Sequence, residues 1–496
     1  MLLPTLLYAF LSLFLLKCWA RLTLRLTKNS PFPAGGNIIF VLGTALALAC
    51  GRLDPHPLPG LWLVLVLAMT WKAVTHDYDW QTDRPQNTLF WRGGALVFAF
   101  LSLHEGLFLI PWIYITVRRL GIWTHHCEMP FRLLFTWLSL DFSARLVVGM
   151  SSDGKAAWDA GLYWGMVMIH YWVPGIAKMR LGPRWYSWMK DNQIHCFFLN
   201  AYAYGWLQFL PLPRIVRIAQ GIQPVNRPLQ ALILLLEAGC LLFLANPFLL
   251  HIWLAGIFLL HLTIFFFAGL FFWEYMLAIA LLFFHAGEFW HPLAPLAAIL
   301  AALLLVSLKI VRPQLLAWWD SPWVARIFIE GITRGEKNVH IHNGLLCPHE
   351  RTYGQIRFLE FLRRPLLYWH LGEVHSRAAY DLVLAAGGNI ETLKELENRH
   401  GKLHYSSEKQ EQEIRWLHLL LEPGWWDRKR FLPEKLRFLK APGEHCFYWG
   451  PLPAHDPREP LHELRLVWRE YFFDGNNLRL METTDLWRQD ADLSGK

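Results

Sequence analysis

A lysine stands at the end of a long apolar segment of this chain. Gly161–Ala177 contains no acidic residue, lysine or arginine, and Lys178 follows it directly. Because an ammonium group is costly at membrane depth, such a lysine either extends its long side chain to the interface or serves a purpose inside a helix bundle. A desolvated amine loses its proton more easily than an exposed one, so Lys178 is a candidate general base. The alternative is a helix-end cation that caps backbone carbonyls, which Arg180 and Arg184 just beyond it also favour.

Other polar residues stand inside apolar stretches. Asp141 and Arg145 lie four residues apart on one helical face, which predicts an ion pair between them. Isolated histidines in such stretches commonly donate to a carbonyl one turn away, and histidine pairs on facing helices bind haem in some membrane cytochromes. The spacing here does not select haem. The remaining polar candidates are His104, Glu105, His170, Glu237, His251, His261, Glu274 and His285.

The composition indicates the class of protein that must position these residues. The 496 residues are 54% hydrophobic and 17% charged, and the mean hydropathy is +0.25. These values predict a mainly α protein whose first part is a polytopic transmembrane helix bundle. The net charge of +8 is explained by basic loops facing anionic lipid, and no stacking or base-reading pattern indicates nucleic-acid binding.

The bundle is expected to occupy residues 1–311. The stretch from Ala238 to Trp273 has no Asp, Glu, Lys or Arg and is too long for one crossing, so we expect a turn near Asn246-Pro247. The apolar runs predict about nine to eleven crossings, some of them re-entrant or broken. The aromatic segment from His195 to Gln208 favours an interfacial or re-entrant helix.

Residues 312–496 carry dense charge and are expected to form a soluble or peripheral α+β domain. Trp323 to Glu330 and Asn338 to His342 alternate in polarity around Arg334-Gly-Glu-Lys337, which predicts a hairpin. Helical spacing covers Tyr380 to Leu396, with a break at Gly387-Gly388, and Ser406 to Leu421. Glu408, Glu411 and Glu413 are expected on a solvated face of the last helix.

Histidines of this domain do not make a convincing metal site. His340 and His342 would face one side of a strand, with Cys347 and His349 nearby. A zinc site needs three or four convergent ligands, and no carboxylate partner stands at a clear spacing. We therefore expect no metal.

Four motifs carry a resemblance to a known family. Tyr171-Trp-Val-Pro-Gly-Ile-Ala-Lys178, followed by Trp185, is similar to the Tyr-Phe-x-Ala-Gly-x-x-Lys…Trp motif of the vitamin K-dependent gamma-carboxylase family and its bacterial relatives, which share the HTTM domain. His261 precedes Tyr275-Met-Leu-Ala278 as a histidine precedes Tyr-Val-Met-Leu-Ala in that family. Leu235-Leu-Glu237 matches an acidic residue that opens an apolar helix, and Trp123-Thr-His-His126 resembles Trp-Asn-Asn-His. The matches are collinear over roughly residues 90–290.

The resemblance implies chemistry for these positions. Lys178, His261 and His126 would be catalytic, and Tyr171, Trp185, Glu237 and Tyr275 would contact the substrate. The cofactor would be a reduced quinone resembling vitamin K hydroquinone, which Lys178 deprotonates before dioxygen reacts and a glutamate side chain is carboxylated. The expected partners are a lipid-soluble substrate or quinol, membrane lipids and a protein or peptide substrate, in a multi-pass protein of a bacterial inner membrane.

Two departures keep other functions open. The carboxylase has two adjacent lysines where this chain has Ala177 and Lys178, and its large lumenal region has no counterpart here. Related oxygen or quinol chemistry without protein carboxylation is one alternative. A non-catalytic lipid-binding, quinone-binding or transport protein, or a maturation factor, on the same scaffold is another.

Overall fold

The computed structural model of the chain describes residues 2–26, 58–77, 88–101, 103, 112–114, 116–117, 127–341, 357–369, 372–422, 424, 430–443, 452–456 and 458–490. His126, with the rest of the Trp123-Thr-His-His126 motif, lies outside these ranges. So do His104, Glu105 and His342.

Helices dominate the first part of the described chain. Their bounds are α1 Leu2–Leu26, α2 Gly60–Thr75, α3 Thr88–Leu101, α4 Glu128–Leu146, α5 Ser152–Met179, α6 Ser187–Asp191, α7 Ile194–Ala203, α8 Leu212–Ile222, α9 Asn226–Glu237, α10 Pro247–Ala268, α11 Trp273–His285 and α12 Ala294–Ser307.

The second part mixes helices and strands, as predicted. These elements are β1 Trp319–Asp320, β2 Trp323–Thr333, β3 Asn338–His340, β4 Pro365–Leu366, β5 Glu373–Val374, α13 Arg377–Ala385, α14 Ile390–His400, β6 Lys402–Leu403, α15 Ser407–Leu421, β7 Leu461–Phe473 and β8 Leu478–Asp490.

Helix α5 is the centre of the helical part. From Ala160 to Ile169 all its residues are buried, and small residues on one face let a neighbour approach closely. A Cβ atom added at Gly161 would lie 2.6 Å from Ala297 Cβ, and one at Gly165 would lie 3.0 Å from the Ala298 carbonyl oxygen. Glycine therefore allows α5 and α12 to pack backbone against backbone, a contact typical of helix pairs in membranes.

An ion pair within α4 and a tyrosine hydrogen bond between α1 and α5 are further polar contacts of this helical part. Arg145 pairs with Asp141 at 2.7 Å within α4, which confirms the predicted i,i+4 pair. The Tyr8 hydroxyl of α1 donates to Asp159 of α5 at 2.5 Å.

Fewer long apolar helices are present than the sequence predicts. Among the described residues, only Leu3–Arg21 within α1 and Pro247–Ala268 are long and apolar enough to cross a membrane. Five shorter apolar helices, α2, α3, α7, α11 and α12, have 16, 14, 10, 13 and 14 residues, respectively. At 1.5 Å per residue these helices alone fall short of a bilayer, so the expected nine to eleven crossings are not confirmed.

Part of the difference arises because apolar runs are divided between elements. The run from Ala238 to Trp273 contains a 3₁₀ segment, Cys240–Ala245, and then α10, whose N-cap Asn246 accepts a hydrogen bond from Leu249 N at 2.9 Å. The turn predicted at Asn246-Pro247 is confirmed. The aromatic segment after His195 forms α7, and the hydroxyl of Tyr204 beyond it donates to the Ala325 carbonyl at 3.1 Å, so this segment joins the helical part to β2.

The larger sheet of the second part is antiparallel in the order β3-β2-β7-β8. Strands β2 and β3 form the predicted hairpin around Arg334–Lys337. Helices α13 and α14 are separated at Gly387, whose φ of +54° confirms the predicted break.

Helix α15 corrects one sequence-based prediction. Glu408 and Glu411 are exposed as expected, whereas Glu413 is only 6% exposed. Glu413 lies one turn before the buried Leu417, on the face that packs against β7, so the alternation of charge misled the prediction.

His340 is a structural residue of the sheet. Its ring Nδ1–H donates to the Ile329 carbonyl at 3.0 Å, and its ring packs on Phe328. No three His, Cys, Asp or Glu side chains converge as a metal site within the described ranges.

Candidate functional site

The helical conformation is interrupted after α9, within the helical part of the protein. The helix ends at Glu237, Ala238 and Gly239 turn, and the chain continues as the 3₁₀ segment Cys240–Ala245. Irregular backbone needs other partners for its carbonyls when it is buried. Trp253 Nε1 donates to the Leu236 carbonyl at 2.8 Å, and Trp290 Nε1 donates to the Leu244 carbonyl at 3.1 Å. Indole groups thus hold the break in place.

Gly175 of α5 lies directly against this break. An added Cβ atom would be 2.4 Å from Ala238 N and 2.9 Å from the Glu237 carbonyl carbon. Pro174 precedes it inside the helix. The close approach that glycine allows brings the last turn of α5 beside the last residue of α9, and with it Lys178 beside Glu237.

Lys178 and Glu237 form a buried ion pair. The Lys178 Nζ donates to the two Glu237 carboxylate oxygens at 2.7 and 3.0 Å. The two side chains are 10% and 12% exposed. The Trp188 ring centroid lies 5.7 Å from the same nitrogen, within reach of a cation–π interaction. The lysine does not extend into solvent, in contrast to the alternative of a helix-end cation at the interface.

Two helical turns before Lys178, on the same face of α5, Tyr171 contacts α10. Its hydroxyl lies 3.0 Å from His261 Nε2, and both residues are buried. His261 is 8% exposed, and its Nδ1 has no hydrogen-bond partner within the part of the chain that the structure describes. Since a buried, unpaired imidazole nitrogen is costly, this atom is a candidate hydrogen-bonding partner for a polar group of a ligand.

Aromatic rings surround His261. The ring centroids of Phe272 and Tyr275 lie 5.4 and 5.7 Å from that of His261. On the other side, Trp253 packs edge-on against Tyr171 at 5.4 Å. The imidazole therefore stands in an apolar, aromatic environment of the kind that binds flat organic molecules.

A hydrogen-bonded chain orients Tyr275. Arg132 Nη1 lies 3.1 Å from His170 Nε2, and His170 Nδ1 lies 3.1 Å from the Tyr275 hydroxyl. Arginine can only donate, so Nε2 accepts and a neutral His170 carries its proton on Nδ1. That proton is donated to the Tyr275 oxygen, which directs the phenol proton of Tyr275 outward as a donor. Glu128 pairs with Arg132 at 2.8 Å and holds the start of the chain.

The structure brings five of the seven predicted site residues together in two groups. Lys178 and Glu237 form the first group, and Tyr171, His261 and Tyr275 form the second. Positions seven residues apart on α5 are separated by about 10 Å along its axis. A single hydroxyl group cannot contact both groups, whereas a ligand with oxygens at opposite ends of an aromatic ring can reach toward each.

The other two predicted residues are placed differently. His126 lies outside the described residues. Trp185 is 61% exposed and packs on Tyr186, and the indole near Lys178 is that of Trp188, three residues later. Both tryptophans follow the lysine within ten residues. The turn before α6 determines that the indole of Trp188, and not that of Trp185, lies beside Lys178.

Sequence reasoning missed a second buried lysine. Lys72 of α2 pairs with Glu274 of α11, and their side chains are 2% and 0% exposed. The signal was present, because Lys72 stands within an apolar run just as Lys178 ends one. Arg132, which fixes the tautomer of His170, was missed as well, and no sequence pattern connects the two.

Comparison of the chain with family models, with curated proteins and with solved structures finds no match.

Proposed function

We propose that this protein is a polytopic membrane enzyme of the HTTM type that removes a proton from a lipid-soluble hydroxyl compound such as a hydroquinone. The single observation that carries the proposal is the buried Lys178–Glu237 pair at a helix break, two helical turns along α5 from Tyr171, whose partner His261 has an Nδ1 atom without a hydrogen-bond partner among the described residues. The resemblance to the gamma-carboxylase family supports the same residues, and reactions of the carboxylase type are the expected outcome.

Exposed apolar surface supports a membrane location with more than two crossings. Large side chains point outward along the helices, far beyond what a soluble surface usually carries. Short helices also combine, since α9 and Cys240–Ala245 form one path of about twenty residues, enough for a bilayer. The exposed residues include Leu3, Phe10, Phe14, Leu89, Phe90, Phe100, Leu242, Phe248, Phe266, Phe284, Leu296 and Leu300.

Proton exchange within the ion pair makes Lys178 a base. When the ammonium proton moves to Glu237, two opposite charges become a neutral amine and a neutral acid. In an apolar environment this loss of charge is favourable compared with any state that leaves one charge alone. The lone pair of Lys178 Nζ then accepts the proton of a hydroxyl group, while Glu237 holds the proton it received.

His261 and Tyr275 suit the opposite end of the substrate. In the tautomer in which Nε2 accepts from the Tyr171 hydroxyl, a neutral His261 carries its proton on Nδ1 and donates it to a ligand oxygen. Tyr275, whose oxygen accepts from His170, keeps its phenol proton beside the same imidazole. Donors arranged in advance stabilise the charge that develops on oxygen as Lys178 takes the proton. The surrounding rings exclude water, which would otherwise compete for these hydrogen bonds.

A hydroquinone fits this donor set. It has a flat ring for the aromatic surroundings and an oxygen at each end for the two groups. When bound, it supplies an ionisable hydroxyl group and the electrons with which dioxygen is reduced.

Turnover in lipid nanodiscs tests the proposal. Purified protein receives vitamin K hydroquinone and dioxygen, and hydroquinone consumption is followed together with incorporation of labelled bicarbonate into a glutamate-containing peptide. Lys178→Met should abolish consumption, whereas Lys190→Met, at an exposed position of α6, should leave it unchanged. Equal turnover by the two variants, or no consumption by the unmodified protein, contradicts the proposed enzyme.

One observation favours a non-catalytic lipid- or quinone-binding, transport or maturation role instead. Both carboxylate oxygens of Glu237 already contact Lys178, as in a pair that only joins two helices. In that case the double variant Lys178→Met/Glu237→Leu should keep its fold and its affinity for a quinone, measured by quenching of tryptophan fluorescence.

A further inference from the structure

A segment of the second part crosses the end of two helices of the first. We call Arg430–Gly443 the strap; its middle, Glu434–Leu439, is a 3₁₀ helix. Ala441 N donates to Thr75 Oγ1 at 2.9 Å, at the end of α2. Trp273 Nε1, at the start of α11, donates to the Pro442 carbonyl at 3.0 Å. The strap is therefore held to both helices where they end.

Ion pairs and a hydrogen bond with Asp77 also hold the strap at the end of α2. Asp77 accepts from Lys440 at 2.6 Å and from Arg437 at 2.9 Å, and the Phe431 amide donates to it at 3.2 Å. Burial disfavours the ionised carboxylate, but the two cations outweigh that effect and lower the pKa of Asp77. The guanidinium carbon of Arg92 lies 3.7 Å from the centre of the Phe431 ring. These cations therefore contact groups of the protein itself.

Three large apolar side chains of the strap are exposed, next to the exposed Glu434. Leu436, Phe438 and Leu439 are 43%, 79% and 45% exposed. Their neighbour in sequence, Lys435, is exposed as well. Exposed side chains of this size gain less from folding than buried ones, and a contiguous group of them indicates a surface that contacts lipid or a partner.

These apolar side chains continue the outer face of α2. Val64, Leu67 and Trp71 follow helical spacing and are 44%, 48% and 41% exposed. Trp71 Nε1 donates to the Leu439 carbonyl at 2.7 Å, so the two surfaces meet. An indole with its apolar ring outward and its N–H bound at the edge is the arrangement found at membrane–water interfaces.

We infer that the strap lies in the boundary between lipid headgroups and acyl chains, with Leu436, Phe438 and Leu439 inserted into the bilayer. The occupant is lipid and not a protein helix, because the apolar surface runs without a break from the strap onto α2. The strap then marks the level at which α2 leaves the membrane, and residues 312–496 lie on that side. This inference rests on the membrane location in the proposed function and extends it to the second part of the chain.

Photo-cross-linking to lipid tests the inference. p-Benzoylphenylalanine replaces Phe438, Leu67 or Leu403 in separate full-length proteins, which are placed in nanodiscs with labelled phosphatidylcholine and phosphatidylglycerol and irradiated. Leu403 is 53% exposed on β6 and serves as the control in the second part. All three side chains are exposed, so the substitutions leave the core intact.

We expect lipid adducts with p-benzoylphenylalanine at position 438 in amounts comparable with those at position 67, and no adducts at position 403. Adducts at 67 without adducts at 438 overturn the inference and leave the membrane location standing. Equal adducts at 438 and 403 also overturn it, because the second part would then contact lipid without preference for the strap. Absence of adducts at 67 instead contradicts the membrane location itself.

Discussion

Two buried lysine–carboxylate pairs join helices in this protein, and their surroundings differ. Lys72 and Glu274 connect the last turn of α2 with the first turn of α11, and their side chains are 2% and 0% exposed. Lys178 and Glu237 connect α5 with the broken end of α9 and are 10% and 12% exposed. The pair with less exposure thus stands between regular helices.

The comparison teaches that burial of a lysine does not by itself define a site. Both ammonium groups are removed from water and both have one carboxylate partner. Only Lys178 stands beside irregular backbone and on the helix face that also carries Tyr171 and its bonded His261. We therefore assign proton transfer to Lys178 and a structural role to Lys72, and three predictions test this division.

The largest expected effect is on turnover. Lys178→Met should reduce the rate of hydroquinone consumption by about 10²–10⁴-fold, the contribution typical of a general base. Lys72→Met should keep the rate per folded molecule, since Lys72 is assigned no proton transfer. Rates are normalised to folded protein by size-exclusion chromatography. A large loss in both variants would show that the two pairs act together and would break the comparison.

The second effect is on stability. Lys72→Met leaves the Glu274 carboxylate buried without its lysine, and we expect a loss of about 3–5 kcal/mol in the free energy of unfolding. The double variant Lys72→Met/Glu274→Gln removes both charges and should recover most of that loss. Thermal unfolding in one detergent gives both values. A single variant as stable as the unmodified protein would mean that the pair contributes nothing.

A third variant should separate Lys178 from Glu237 at the helix break. Gly175→Ala places a Cβ atom 2.4 Å from Ala238 N and should cost about 1–3 kcal/mol, because packed backbone must move apart. Since the same movement draws Lys178 from Glu237, turnover should fall as well. Gly221→Ala in α8 is the matched control, as an added Cβ atom meets nothing within 4 Å there. Equal stability of the two alanine variants would contradict the close approach.

The smallest effect concerns two carboxylates of the second part. Glu373 and Asp320 lie directly opposite each other across β1 and β5. Burial, and then the neighbouring Asp320, raise the pKa of Glu373 from 4.5 to about 8. Burial also raises the pKa of Asp320 to about 6, against the lowering effects of hydrogen bonds from Asn192 and Trp318 and of the Lys178 charge.

A raised carboxyl pKa has a definite consequence for stability. Glu373 contributes stability fully below its unfolded pKa of 4.5, and this contribution is lost as the pH rises through about 8. Glu373→Gln should flatten the decline in melting temperature between pH 5 and pH 8, in roughly the interval that the two pKa values define. An unchanged decline would show that other groups cause it.

Local patterns predicted the β2–β3 hairpin and helices α13 to α15 of the second part, but not the long strands β7 and β8. Alternating polarity around Arg334–Lys337 predicts the β2–β3 hairpin, and Gly387 predicts the break between α13 and α14, because turn residues and side-chain alternation act over a few residues. Glu413 was misplaced since its burial depends on β7, which follows it by some fifty residues in the chain. The predicted number of crossings is not confirmed, because one apolar run supplies several short elements.

The sequence by itself determined which residues are chemically notable: the lysine that ends an apolar run, the acidic residue of Leu235-Leu-Glu237, and the histidine and tyrosines around them. These follow from residue type and spacing, which are local properties. Only the tertiary structure decided that Lys178 meets Glu237, that Trp188 and not Trp185 lies beside it, and that Lys72 has a partner of its own. The physical reason is that such contacts depend on how closely two backbones approach, as at Gly175 and Ala238, and that distance is set by the packing of the whole bundle.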